Sequence, residues 1–313
     1  MPPGKLLVIC GPTASGKTRL GVELALRHNG EVVSADSMQV YRGMDIGTAK
    51  PTPEEMRGVA HHMLSVAHPR EHYSVARYVS EAARCVDDIL RRRRLPIVVG
   101  GTGLYIDALV AGRPFAAFSG EIRSMLENRA RQHGVASLRE ELRQVDPQRA
   151  ERLPENDAKR IIRALEVWYE TGKTISEHDA RTRALPPRYT AVYWGLSYEK
   201  RADLWSSIDR RVDEMMEAGL ADEVHALLAA GVCRDCTAMQ AIGYKELASA
   251  WEEGRPLAGA VQEIKLRTRQ YAKRQLTWFR RSGAVRWHLW GAVPDFFNAI
   301  QDATKYLEEC GLR

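Results

Sequence analysis

Apolar residues come first in short solid runs and later only at helical spacing. Leu6-Leu7-Val8-Ile9-Cys10, Glu31-Val-Val-Ser34-Ala35 and Pro96-Ile-Val-Val-Gly100 are brief apolar runs with polar or glycine boundaries, the pattern of strands buried on both faces. Two helices are predicted between them. One runs from Lys17 to His28 with Leu20, Leu24 and Ala25 on one face; the other runs from Ser74 to about Arg92 with Val75, Val79, Ala82, Val86 and Leu90 aligned. This β-α-β-α-β rhythm predicts a parallel sheet covered by helices. After Pro114 the period changes. Ile122, Met125 and Leu126, then Leu138, Leu142 and Val145, then Ile161, Ile162, Leu165, Trp168 and Tyr169 repeat only as helices do, punctuated by Gly134, Asp146-Pro147 and Leu153-Pro154. Pro186-Pro187 then leads into a strand-like Tyr189 to Gly195. The expected fold is α/β: a parallel-sheet core formed by 1–117 and 188–313, with an all-helical insertion at 118–187.

The first run ends in a motif that fixes the kind of core. Gly11-Pro12-Thr13-Ala14-Ser15-Gly16-Lys17-Thr18 matches G-x-x-x-x-G-K-[ST] in full, with a strand before it and a helix after it. Glycine lets the backbone curl so that successive N–H groups converge on phosphate oxygens, and the helix N-terminus adds its positive dipole end. Lys17 neutralises phosphate charge and the Thr18 hydroxyl is a ligand for Mg²⁺. A P-loop binds a diphosphate without saying which one. Nucleoside triphosphate hydrolases add a strand ending in aspartate to help hold the metal. Here the Pro96 run ends instead in Gly100-Gly101-Thr102-Gly103, and the acid, Asp36, ends the neighbouring strand. That position suits a general base, and equally a turn-capping residue or an outer ligand of magnesium.

Composition adds little to this and contradicts none of it. The 313 residues are 44% hydrophobic and 27% charged, and 46 Lys+Arg against 40 Asp+Glu give a net charge of +6. The sequence pI is near 9.1, a modest excess that fits a polyanionic partner. No apolar run approaches the ~20 residues of a membrane span, so no membrane association and a cytoplasmic location are expected. Five scattered cysteines, Cys10, Cys85, Cys233, Cys236 and Cys310, read as reduced thiols. Cys233-x-x-Cys236 lacks a second pair for zinc, and His61-His62 have no ligand partners at metal spacing. Arg91 to Arg94 close a helix, where cations oppose the dipole.

The segment Ser34-Ala-Asp-Ser-Met-Gln-Val-Tyr-Arg-Gly-Met-Asp-Ile-Gly-Thr-Ala-Lys50 is more specific than any single motif. Together with the P-loop, Gly100-Gly-Thr-Gly-Leu-Tyr105, Arg152-Leu-Pro-Glu-Asn-Asp157, Arg163-Ala-Leu-Glu-Val167, Ala241-Ile-Gly-Tyr-Lys245 and Arg269-Gln-Tyr-Ala-Lys-Arg-Gln-Leu-Thr-Trp278, it resembles the tRNA dimethylallyltransferase family across nearly the whole chain. The resemblance implies that dimethylallyl diphosphate, and not ATP, places its diphosphate in Gly11 to Thr18. The exocyclic amine of the adenine 3′ of the anticodon then attacks the allylic carbon. It further implies Asp36 as general base, with Lys17, Mg²⁺ on Thr18, and Arg211 stabilising the leaving group; Arg210 remains a rival for the last role. Asp36, Ser37, Met38, Gln39, Thr102, Arg123, Lys159, Arg160, Ile161, Ile162, Arg163, Gln240, Ala241, Ile242, Gly243, Tyr244, Lys245, Arg267, Arg269, Lys273 and Arg274 are implied to meet the anticodon stem-loop, with the protein acting as a monomer.

The residues themselves support a nucleic-acid surface. The helix predicted from Leu257 to Arg281 buries Val261, Ile264, Thr268, Ala272, Gln275 and Phe279. It carries Lys265, Arg269 and Lys273 on one flank and Arg267, Arg274 and Arg281 on another, with Glu263 the only nearby acid in sequence and Tyr271 and Trp278 interleaved. A plain solvated face is the competing reading. For the whole chain the alternatives are a P-loop kinase of a nucleotide or small metabolite, and an RNA-binding module that the P-loop ligand switches without turnover.

Overall fold

A computed structural model describes residues 4–112 and 120–312. The chain divides into two compact units, Met1–Gly112 with Pro187–Arg313, and Arg113–Pro186. The boundary expected at 117/118 falls outside the described residues.

The first unit is built on one six-stranded sheet: β1 (Gly4–Cys10), β2 (Gly30–Ser34), β3 (His61–His62), β4 (Leu95–Gly100), β5 (Tyr189–Tyr198) and β6 (Val285–Trp290). Their order is β3-β2-β4-β1-β5-β6, and every pair is parallel. Leu6 to Cys10 are fully buried, as a central strand covered on both faces requires. The helix Lys17–Arg27 buries Leu20, Val22, Leu24 and Ala25, and Val75–Arg91 buries Tyr78, Val79, Ala82, Ala83, Val86 and Ile89. The second helix is thus rotated slightly from expectation, burying Ile89 where Leu90 was placed.

Register explains the placement of the site. Cys10 lies opposite Gly100, and Ser34 opposite Val99. The phosphate loop, the turn carrying Asp36 and the Gly-Gly-Thr turn therefore leave the sheet side by side at its carboxyl edge, where ligands of open α/β sheets bind.

Two strands and part of the Arg91–Arg94 reading differ from expectation. β6 was not predicted because Arg286 and His288 interrupt its apolar residues. β3 is two histidines long, and His62 Nε2 lies 2.8 Å from the buried Glu31 carboxylate. Arg92 and Arg94 also bond Glu31. Half of the arginine run is thus a buried-acid cluster more than a dipole cap, and these cations hold the Glu31 carboxyl well below its ordinary range.

The second unit is helical: Gly120–Val145, Pro147–Arg152, Ala158–Thr171 and Ile175–Ala184. The first of these breaks at Gly134, which has φ 78°. Leu126, Leu138, Leu142, Leu153, Ile161 and Leu165 form its core.

Candidate active site

The phosphate loop is held in shape by its own glycines and by side chains from the second half of the chain. Gly16 starts the loop's helix at φ 80°, a left-handed conformation that a side chain would strain. The Lys17 ammonium donates to the Pro12 carbonyl at 2.5 Å, and the Ser15 hydroxyl donates to the same oxygen at 2.8 Å. Burial, reinforced by the nearby Arg211 charge and opposed by Asp36, brings the Lys17 pKa down to about 7. Burial also lowers the Arg211 pKa, with Asp36 acting against it. Two desolvated cations beside one carboxylate form a site suited to an anion.

Asp36 follows β2. Its Oδ1 accepts from the backbone N–H of Met38 at 2.8 Å and of Gln39 at 3.3 Å. Its Oδ2 has no hydrogen-bond partner among the described residues. One oxygen thus caps the turn, as the structural reading anticipated, and the other is free to take a proton. Gln39 has a scaffold role: its amide accepts from Ser34 Oγ and donates to the carbonyls of Thr48 and Ala49. Thr102 Oγ1 accepts from the Ser37 N–H at 3.3 Å.

Two joined cavities meet at this carboxylate. The larger, about 610 Å³, is lined by Thr13 to Arg19, Gln39, Lys50, Gly101, Arg210 and Arg211, among others. The smaller, about 280 Å³, is lined by Ser37, Met38, Ile208, Val212, Gln240, Ala241, Ile242, Gly243, Ile264 and Arg274. Thr13, Asp36, Arg211 and Tyr271 line both. Arg210 borders only the larger one and is mostly exposed, 3.8 Å from Glu214. A phosphate-binding hollow and a more apolar hollow therefore share an acid and an arginine at their junction.

Several expected RNA-contacting residues are placed differently. Ile161 and Ile162 are buried in the core of the helical unit, which withdraws them as contacts. Tyr244 is fully buried and its hydroxyl bonds Glu223, so it is structural. Arg123 and Arg163 converge on the buried Glu166 carboxylate, Arg123 at 3.0 and 3.1 Å, and Arg163 at 2.8 Å. In that unit, Lys159 and Arg160 present surface charge, the latter also bonded to Asp157. On the helix Leu257–Arg280, Arg269 forks Asp209 and Lys265 pairs with Asp213 at 2.6 Å, so the flank lacking acids in sequence acquires them from another helix. Arg267 lies 3.3 Å from Glu263, while Lys273 and Arg274 are exposed and Lys245 is exposed beside the smaller cavity's wall.

Two residues take roles in the site that the sequence does not assign them: Tyr271 is expected only as an aromatic interleaved on the basic helix, and Glu223 carries no expectation. Tyr271 borders both cavities; burial and the Asp36 charge push its pKa up to about 12. Glu223 accepts from the N–H groups of Asp45, Ile46 and Gly47, which fixes the loop leading to Thr48 and Ala49. Glu223 adjoins the apolar positions Leu220, Val224 and Leu227 of its helix without belonging to them, so periodicity does not mark it.

Fold and site define a P-loop α/β protein whose carboxylate follows β2, the strand beside β4, and not β4 itself, which lies next to the phosphate-loop strand β1. A family model described as IPP transferase matches residues 39–282, and one described as isopentenyl transferase matches residues 4–68. The chain belongs to the tRNA dimethylallyltransferase family. It is 47% identical to a tRNA dimethylallyltransferase of Caldanaerobacter subterraneus subsp. tengcongensis, covering 97% of each chain. It is 48% identical to one from Geobacter sulfurreducens, covering 95% of each. Among solved structures it is similar to the full-length tRNA isopentenylpyrophosphate transferase of Bacillus halodurans, at 42% identity and TM-score 0.73 over 97% of this chain and 96% of that one. It is also similar to a eukaryotic dimethylallyltransferase acting on tRNA, at 30% identity and TM-score 0.83 over 98% and 80%.

Proposed function

We propose that the chain transfers the dimethylallyl group of dimethylallyl diphosphate to the exocyclic N6 amine of the adenine immediately 3′ of the anticodon in tRNA, giving N6-isopentenyladenosine and diphosphate. The observation that carries this reading is the junction at Asp36 and Arg211, which line both the phosphate-loop cavity and the more apolar one. The diphosphate lies along Gly11 to Thr18. The target adenine leaves its stack in the anticodon loop and enters from the side of Gln240 to Gly243.

The amine lone pair forms the new bond to the allylic carbon while the carbon–oxygen bond breaks, its electrons leaving with the diphosphate. Lys17, Arg211 and the loop N–H groups meet that growing charge, an arrangement in which one donor is typically worth about 10²–10³ in rate. Asp36 Oδ2 takes the amine proton, while the turn bonds to Oδ1 hold the carboxylate in orientation. The Thr18 hydroxyl borders the cavity without a hydrogen-bond partner among the described residues, so Thr18 would hold Mg²⁺. When bound, the metal adds further charge compensation to the leaving group.

Lys159, Arg160, Lys245, Arg267, Lys273 and Arg274 anchor tRNA phosphates, because they remain on the surface. The protein acts as a monomer, since one chain lines both cavities, and it works in the cytoplasm. No helix among the described residues is long and apolar enough to cross a membrane.

The test compares wild type with Asp36→Asn on unmodified tRNA transcript with dimethylallyl diphosphate and Mg²⁺, read by nucleoside mass spectrometry. A parallel reaction contains labelled ATP. Isopentenyladenosine from wild type, lowered by roughly 10²–10⁴ in the variant, is expected. Label transfer from ATP without prenylation would replace this reading with the kinase.

A further inference from the structure

We propose that Gln275 is a positioning residue that keeps the phosphate loop in register with the turn carrying Asp36. The proposal rests on the reaction assigned above. Gln275 lies on the helix Leu257–Arg280, one turn after Tyr271, and is 5% exposed. Its Oε1 accepts from the Thr13 N–H at 2.8 Å, and its Nε2 donates to the Gly101 carbonyl at 3.0 Å. The next residue, Thr102, donates its N–H to the Ala35 carbonyl at 3.2 Å and accepts from the Ser37 N–H at 3.3 Å. Asp36 stands between those two residues. One hydrogen-bonded path thus runs from the leaving-group cradle to the general base.

The sheet alone does not provide this link. Its rungs end at Cys10 opposite Gly100 and at Ser34 opposite Val99, so the loops beyond are outside the ladder. The Gln275 amide takes over where the rungs stop. It needs a donor and an acceptor on one short planar group, which the glutamine amide offers at this reach, and asparagine is one methylene too short. The approach is also close: a Cβ at Gly101 would stand 2.0 Å from Gln275 Nε2, so a side chain there would push the amide out of its place. Reaction rate depends on the reacting groups being held at the correct separation, and a misplacement of about 1 Å can cost 10²-fold.

Gln275→Met, similar in length, removes both bonds; Gln275→Glu keeps the acceptor for Thr13 and loses the donor to Gly101. Each is compared with wild type for kcat, for KM of tRNA, and for binding of inorganic pyrophosphate with Mg²⁺ by calorimetry without tRNA. The expected result for Gln275→Met is a kcat lower by roughly 10- to 100-fold with weakened pyrophosphate binding, while KM for tRNA changes by less than about 2-fold. Gln275→Glu falls between that variant and wild type in kcat. Wild-type kcat and pyrophosphate affinity in a folded variant would overturn the proposal. So would a loss of turnover that only follows the folded fraction by circular dichroism, with pyrophosphate affinity of the folded protein intact. If Gln275→Met fails to fold, Gln275→Glu decides on the same readouts. If wild type forms no isopentenyladenosine, the assigned reaction fails, whereas pyrophosphate binding still decides whether Gln275 shapes the loop.

Discussion

Trp290 donates its indole N–H to the carbonyl oxygen of Ser15 at 2.9 Å, joining the end of β6 to the middle of the phosphate loop. Ser207 Oγ donates to the Ala14 carbonyl at 3.1 Å and itself accepts from the Tyr198 hydroxyl. With Gln275 on the Thr13 N–H, three consecutive loop residues are each held by a side chain from the second half of the sequence. Ala14 needs such support, because it is a non-glycine residue at φ 60°.

Replacing Trp290 by phenylalanine removes the donor and keeps an aromatic ring. Ser15 and Trp290 are each 1% exposed, so the Ser15 carbonyl is left without a partner or access to water. The expected loss is about 1–3 kcal/mol of folding stability, measured by urea unfolding, with weaker pyrophosphate binding. Unchanged stability would mean that the loop keeps its shape without the indole bond.

Lys17 predicts a proton linkage. Its pKa in the folded protein is about 7, below the ordinary lysine value, chiefly because of burial. The charged form is therefore disfavoured by folding: the penalty is full below about pH 7 and disappears as pH rises toward the unfolded lysine value. A bound diphosphate restores the charge. At pH 8 the free protein holds Lys17 mostly neutral, so binding takes up close to one proton; at pH 6 it takes up little. Calorimetry of pyrophosphate binding in buffers of different ionisation enthalpy measures this uptake. Lys17→Arg, always charged, supplies the baseline for ionisation of pyrophosphate itself, and equal uptake by both proteins at pH 8 would refute the linkage.

Arg211 and Arg210 are adjacent in sequence and unlike in setting. Arg211 lines both cavities with Asp36, while Arg210 reaches toward solvent and Glu214. Arg211→Gln is expected to lower kcat by about 10²–10³, the usual effect of removing one donor to transition-state charge. Arg210→Gln should stay within about 2-fold, because exposed pairs contribute little. Steady-state kinetics on tRNA separates them, and the opposite ranking would assign the leaving group to Arg210.

The phosphate loop and the central strands were legible because each is local: a solid apolar run, a glycine-bounded turn, a helix start. Asp36 was legible for the same reason, as the polar residue ending a strand. Residues that act through distant partners were not. Asp209 and Asp213 reach the basic helix from positions 60 and 52 residues away, so the apparent lack of acids around Arg269 and Lys265 was a property of the sequence window alone. Gln275 was placed correctly on a buried face, but periodicity does not say what a buried amide bonds. Ile161 and Ile162 show the converse. Their helical spacing with Leu165 marks them as core, and that periodicity outweighs the surface role implied for the motif as a whole.

That distinction yields a graded prediction for tRNA binding by the basic helix. Lys273 and Arg274 are exposed without a carboxylate partner in an ion pair among the described residues, and Arg274 lies 5.6 Å from the Tyr271 ring centroid. Reversing either charge should weaken tRNA affinity and reduce the salt slope of binding by about 1, as expected when a phosphate contact is lost. Arg269 is committed to Asp209 and stacks 5.8 Å from the Trp205 centroid. Arg269→Gln should therefore lower the unfolding midpoint and leave the salt slope nearly unchanged, since the removed charge was already compensated within the protein. Filter binding of tRNA across a salt series, with thermal unfolding of the same preparations, distinguishes the two behaviours. A salt slope reduced equally by Arg269→Gln and Lys273→Glu would show that Arg269 leaves Asp209 to meet a phosphate.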